Sequence, residues 1–364
     1  MTIPHVDVRA QYAPLLDELK ERLAAVLDSG RFVLGPEVRA FEQEAAAYLG
    51  VRDAVGVANG TDALVLVLDA LGVGPGDEVV CPAFTFFATA EAVSRLGATP
   101  VFCEIDPVTL NVDPADVERR VTRRTKAILA VHLFGRPAPL DALPGAVPVV
   151  EDAAQAFGAT VGGVRAGAAG VAATFSFFPT KNLFGLGDGG LVATSDEALA
   201  ERVRLLRFHG SRDKERFEAV GYNSRLDELQ AAALRLFLGH VDGWNLARRE
   251  AAARYAELGL GELCELPEDE PGHVYHMYVV RSPERDRIAA ALREAGIGCA
   301  TYYTTPLHLQ PVYAGLGYEP GSLPEAERAG RETLALPLWA GISSEQQEQV
   351  VATVRTALTV GVGT

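Results

Sequence analysis

Between residues 54 and 151, short apolar runs alternate with helical patterns, and this constrains the fold more than any other feature of the chain. Ala54–Ala58, Glu78–Cys81, Pro100–Glu104, Ala127–His132 and Val147–Glu151 read as strands, with helices at Thr61–Leu71 and Phe87–Leu96. The runs at 127–132 and 147–151 are apolar and β-branched, as suits strands covered on both faces. Strands alternating with helices need crossover connections, so the sequence predicts a mainly parallel sheet flanked by helices. Thr174–Phe177 and Gly190–Thr194 flank a glycine-rich turn and add a later pair of strands.

Upstream, Leu15, Leu16, Leu19, Leu23, Val26 and Leu27 fall at near-helical spacing over residues 13–28, and Ser29-Gly30 stops them. A second helix follows Gly35-Pro36, with proline early in the helix, where its missing N–H costs nothing. From about Ala231 the pattern changes. Helices are predicted at Leu226–Leu238 and from about Asn245 to Leu258, then a strand (Tyr275–Arg281), a helix (Glu284–Ala295), a short β-run (Cys299–Tyr303) and a final helix (Ser344–Leu358). The chain thus reads as α/β with two domains, a large one over 1–240 and a smaller α/β one over 241–364.

Composition narrows the possible partners. The 364 residues hold 33 basic and 48 acidic side chains, a net charge of −15, which argues against a nucleic-acid backbone as the main partner. With 48% hydrophobic and 22% charged residues the chain is not disordered. No window of about 20 residues is apolar and charge-free, so no membrane span is expected. The first residues have neither a basic head nor an apolar run, so no secretion signal is expected. Cys81, Cys103, Cys264 and Cys299 stand far apart, which argues against a disulfide framework or a zinc site and suits thiols in a reducing cytoplasm.

Four local signals carry chemistry. Asn59-Gly60-Thr61-Asp62 lies between a strand and a helix, where free N–H groups, the helix dipole and the Thr61 hydroxyl suit a phosphate; Thr61 reads equally as an N-cap. Val149-Val150-Glu151-Asp152 ends a buried strand in adjacent carboxylates, one of which could hold a protonated ring nitrogen or instead cap or ion-pair. Lys181 follows the uncharged stretch 166–180 on a turn made tight by Pro179 and the glycines after residue 184. Apolar surroundings lower a lysine pKa and free the amine for covalent chemistry; the apolar run-up argues against the alternative, a surface lysine on a hairpin. In Gly221 to Gln230, Asn223 or Ser224 reads as a helix N-cap, with Asp227 and Glu228 in the first turn.

The order and spacing of these stretches resemble the DegT/DnrJ/EryC1/StrS family of pyridoxal-phosphate sugar aminotransferases, from about Ile3 onward. Leu34 to Val38, Gly60 to Leu64, Phe84 to Thr89, Glu151 to Gln155, Ser176 to Lys181, Gly221 to Gln230 and Pro306 to Pro311 carry the likeness. The resemblance implies a fold-type-I architecture like that of aspartate aminotransferase, a homodimer with active sites at the subunit interface, and pyridoxal 5'-phosphate (PLP) as cofactor. It makes Lys181 the lysine that binds the cofactor covalently and shuttles the proton, and Asp152 the partner of the pyridinium nitrogen. Gln155 would bond the phenolic oxygen and Phe86 would stack on the ring. Gly60, Thr61, the Asp62 N–H and Ser176 would hold the phosphate, with Asn223 reaching it from the neighbouring subunit.

The same resemblance implies transfer of an amino group from glutamate to a keto sugar on a nucleoside diphosphate. Related dehydratases carry histidine where this chain has Lys181, so the lysine argues for transamination. The stretch from Thr301 to His308 looks like that of 3-aminotransferases acting on neutral dTDP-3-keto-6-deoxyhexoses, although those usually have proline where Thr304 stands. Tyr302, Tyr303 and His308 are therefore expected at the sugar, with core packing as the alternative for the tyrosines. Arg225 would suit the carboxylate of a UDP-linked 3-keto uronic acid, or else pair with Asp227 or Glu228. Arg207, in a basic stretch over 202–216 that otherwise reads as a solvated helix face, is a candidate for the substrate diphosphate. A keto-cyclitol transaminase would share every cofactor residue.

Overall fold

A computed structural model describes residues 2–359. The chain opens with α1 (Val8–Tyr12) and α2 (Leu16–Ser29), separated by a tight turn at Ala13–Leu15 that holds Pro14, so the helix predicted from residue 13 starts later. Then come α3 (Pro36–Leu49), β1 (Asp53–Val57), α4 (Gly60–Ala70), β2 (Glu78–Pro82), α5 (Ala88–Arg95) and β3 (Thr99–Cys103). Next are α6 (Pro114–Arg120), β4 (Thr125–Val131), β5 (Val149–Asp152), the small hairpin β6 (Thr160–Val161) and β7 (Val164–Arg165), β8 (Ala172–Ser176), β9 (Gly190–Thr194) and α7 (Glu197–Leu206). The predicted strand–helix alternation is present. The short α6 and the 160–165 hairpin were not foreseen, and the basic stretch is helical only as far as Leu206.

These strands form one sheet in the order β1-β9-β8-β5-β4-β2-β3. All pairings are parallel except those of β9, which runs against both β1 and β8. The C-terminal ends of β1, β2, β5 and β8 therefore share one edge, where a parallel sheet offers a crevice for a ligand. Helix α4 is pinned there by its own sequence. Ala63 to Leu68 are all buried, as a helix apolar on every side must be. Each buried Val or Leu contributes about 1.5–3 kcal/mol, so the α4 N-terminus is held firmly at the sheet edge.

The remainder comprises α8 (Glu228–Leu238), α9 (Val241–Glu257), β10 (Tyr278–Arg281), α10 (Arg285–Glu294), α11 (Pro324–Glu332), β11 (Thr333–Leu336) and α12 (Ser344–Thr359). Strands β10 and β11 pair antiparallel. The β-run predicted at Cys299–Tyr303 is not a strand: only Ala300 bridges Ala335, after which the chain turns and carries Tyr303 against Phe84 and Phe134. The predicted cap at Asn223 or Ser224 is also displaced, since α8 starts at Glu228 with Asp227 accepting from the Gln230 N–H. Asn223 instead bridges Phe208, and the Ser224 hydroxyl accepts from the Ala58 N–H.

Packing crosses residue 240 in three places. Helix α9 puts Val241 in the core under the sheet and Tyr255 in the second core. Ile3, 1% exposed, bridges Ile297 inside that second core. Leu307, Tyr313 and Ala326 return to the core on the sheet's other face. Among the described residues no helix is long and apolar enough to cross a membrane.

Candidate active site

Asn59, in extended conformation, caps α4 by accepting from the Asp62 N–H at 2.8 Å. Asn59 rather than Thr61 is thus the cap, and the Asp62 N–H expected at a phosphate is already engaged. The first-turn N–H groups of Gly60 and Thr61 have no intrahelical acceptor, and the helix dipole is positive here. Ser176, at the end of β8, closes the cradle. A Cβ on Gly60 would lie 2.8 Å from the Ser176 Cβ, so only glycine lets the two elements approach this closely.

The two carboxylates of β5 point to opposite faces, as neighbours on a strand must. Glu151 is fully buried and accepts from the N–H groups of Gly167, Ala169 and Gly170 at 2.6–2.9 Å. His132 joins it through Nε2 at 2.8 Å, while the His132 Nδ1 accepts from the Ala138 N–H, so Nε2 carries the proton. Burial would raise the Glu151 pKa, but the His132 hydrogen bond and the backbone donors outweigh it and hold the pKa below the usual value. Glu151 is fully satisfied by structure. Asp152 is different: 5% exposed, it accepts from the Thr89 hydroxyl at 2.9 Å and the Ala154 N–H at 3.3 Å, with no ion pair within 4 Å among the described residues. Burial raises its pKa against those donors and the Lys181 charge. A buried carboxylate so placed suits a cationic partner.

Lys181 lies on the turn after β8, closed by its N–H to the Phe178 carbonyl at 2.9 Å. The next residue, Asn182, is buried and donates to Asn245 at 2.7 Å and to the Val274 carbonyl at 3.0 Å, which anchors the loop to α9 and to the segment before β10. The Lys181 amine lies 3.5 Å from the His276 Nε2. Burial lowers its pKa to about 8, opposed by the Asp152 charge. Nearby, the Phe86 ring is 58% exposed and the Tyr303 hydroxyl accepts from the Gln155 amide at 3.0 Å. The Gln155 carbonyl accepts from the Phe134 N–H at 2.7 Å. A helix N-terminus with free N–H groups, an unpaired acid, a lysine of lowered pKa and a bare aromatic face share one sheet edge.

The sequence matches the DegT/DnrJ/EryC1/StrS aminotransferase family over residues 15–355. The chain belongs to this family. It is 46% identical to the dTDP-3-amino-3,4,6-trideoxy-alpha-D-glucose transaminase of Streptomyces venezuelae, over 97% of this chain and 95% of that one. The crystal structure of S. venezuelae DesV in complex with a ketimine intermediate superposes with a TM-score of 0.93 at 47% identity, covering 98% of each chain. NtdA of Bacillus subtilis with bound cofactor PMP superposes with a TM-score of 0.87 at 32% identity, covering 94% of this chain and 82% of that one.

For this DegT-family chain, the structure brings Gly60, Thr61, Asp62, Phe86, Asp152, Gln155, Ser176, Lys181 and Tyr303 to one edge. Tyr302 lies at its margin, its ring 5.6 Å from that of Tyr303. Asn223 is exposed and lines, with Asp62, Arg95 and Tyr222, a cavity of about 340 Å³ on the flank of α4. Arg225 pairs with neither Asp227 nor Glu228; it reaches over the Phe208 ring at 5.9 Å.

Two expected substrate residues are engaged elsewhere. Arg207 is buried and bonds the Glu42 carboxylate and the Gly56 carbonyl at 2.5 and 2.6 Å, so it ties α3 to β1 rather than facing a diphosphate. His308 is 1% exposed and turned to Glu327 at 3.2 Å. Sequence reasoning missed Thr89 and His276. Thr89 was within a recognised motif, but its contact to Asp152 spans 63 residues. His276 was covered by a predicted strand, in which a lone polar residue among apolar neighbours was the available signal.

Proposed function

We propose that the protein transfers an amino group from glutamate to the keto group of a neutral dTDP-linked 3-keto-6-deoxyhexose, with PLP as cofactor, and works as a cytoplasmic homodimer with shared active sites. The observation that carries this reading is the Lys181 amine, partly buried and with its pKa lowered to about 8, held on the sheet edge that also carries the unpaired Asp152. The donor set fits PLP. Gly60, Thr61 and Ser176 would take its phosphate, Phe86 would cover a ring face, Asp152 would hold a protonated ring nitrogen, and Lys181 would bind covalently through Nζ. When bound, PLP supplies an electron sink for the carbanion left when a Cα–H bond breaks.

The protein's own residues supply the rest. Asp152, its carboxyl group oriented by the Thr89 hydroxyl, would face the ring nitrogen. Once freed, the Lys181 amine takes the Cα proton of the donor at Nζ and returns it on the acceptor side. Its lowered pKa matches such base work near neutral pH. Tyr303, stacked on Phe134, narrows the site with an aromatic wall suited to a sugar without charge. The likeness to the Streptomyces venezuelae transaminase supports a dTDP sugar, and the four unpaired thiols suit a reducing compartment.

A panel of dTDP-3-keto-6-deoxyhexose, UDP-3-keto uronate and keto-inositol, each offered with glutamate and read by mass spectrometry, tests the assignment. The dTDP sugar is expected to be aminated with kcat/KM at least about tenfold above the others. A preference for the uronate would move the reading to Arg225, whose guanidinium is free of its neighbouring carboxylates. Amination of none would end the proposal.

A further inference from the structure

His276 stands just before β10, is 1% exposed, and faces the Lys181 amine with Nε2 at 3.5 Å. Its other nitrogen, Nδ1, is buried without a hydrogen-bond partner among the described residues. Three titratable groups face it: Lys181 on the turn after β8, Arg248 on α9, and His5 near the start of the chain. Arg248 is itself 1% exposed and donates at 3.4 Å to the carbonyls of Tyr275, His276 and Leu338, fixing the backbone that carries the imidazole. Burial, then Lys181, Arg248 and His5, hold the His276 pKa well below its usual value, so the ring is neutral.

A lysine ammonium can only donate. A neutral imidazole facing it must therefore present a lone pair at Nε2 and carry its proton on Nδ1. A buried N–H left unpaired is destabilising against an apolar side chain of equal size, so packing alone does not account for a histidine here.

We propose that His276 is a positioning residue for Lys181: its Nε2 lone pair accepts a hydrogen bond from the Lys181 amine and holds Nζ at the sheet edge whenever that amine is not covalently engaged. The inference rests on Lys181 being the reactive amine of the proposed function.

The test uses full-length protein freed of cofactor. Acetylation of Lys181 by acetic anhydride is followed by mass spectrometry across a pH series, with the midpoint as readout. Removing the acceptor in His276→Leu is expected to lower the midpoint by about one pH unit, the equivalent of one hydrogen bond to a charged group. His276→Gln keeps an acceptor oxygen and is expected to restore at least about half of that shift. An unchanged midpoint in His276→Leu, or equal shifts in both variants, would overturn the proposal. Should the leucine variant not fold, nitrogen-15 spectra of wild-type histidines decide: a proton on Nδ1 of His276 is expected, and one on Nε2 overturns it. A wild-type Lys181 midpoint like that of a surface lysine would instead overturn the reading of Lys181, and this inference with it.

Discussion

At the residue scale, Lys181 works against stability in the free protein. Its folded pKa of about 8 lies below the usual 10.5, so between those values the unfolded chain binds more protons and stability rises with pH. The penalty is fully present below about pH 8. Lys181→Met should therefore abolish turnover yet stabilise the cofactor-free protein at neutral pH by about 1–3 kcal/mol, with the gain shrinking as pH rises, as read by urea unfolding. Thr89→Val removes the hydroxyl donor from buried Asp152 and should lower kcat by about 10–100-fold and destabilise the cofactor-free protein by about 1–3 kcal/mol, as read by steady-state kinetics and urea unfolding. Lys181 and Asp152 were legible in the sequence because each is a charge placed where the local pattern forbids one. Thr89 and His276 were not, because their meaning lies in partners far along the chain.

At the scale of elements, the α3 N-terminus depends on one distant carboxylate. Glu228, in the first turn of α8 and 1% exposed, accepts from the N–H groups of Gly35, Glu37 and Val38 at 2.7–3.0 Å. It does for α3 what a capping side chain usually does from within the helix. Glu228→Ala should destabilise the protein by about 2–4 kcal/mol in urea unfolding, and Gly35→Ala should also destabilise it, because the added Cβ meets the same carboxylate. Glu151 gives an acid signature. Its folded pKa is lowered, so its contribution is complete above about pH 4.5 and is lost as pH falls through the folded value. The stability gap between wild type and Glu151→Gln should be widest near neutrality and close on acidification. The apolar strands and the all-apolar α4 were legible because burial on every side leaves a continuous run. The departure at Cys299–Tyr303 was not, because a run of β-forming residues does not say which neighbour it will pair with.

On the scale of the whole molecule, the segment carrying Asn223 also presents Phe217 and Val220, which are 60% and 95% exposed. A homodimer in size-exclusion chromatography is the expected state. If Asn223 serves the partner's site, mixing inactive Lys181→Ala and Asn223→Ala proteins should recover activity at about a quarter of all sites, since each mixed pair holds one intact centre. No recovery would assign Asn223 to its own chain, where it lies near Asp62. The contact of Ile3 with Ile297 has a consequence in time rather than space. At about 5–20 residues per second, a ribosome delivers the second partner roughly 15–60 s after the first. Until then Ile3 lacks its partner at Ile297, which makes this clasp a late event in maturation.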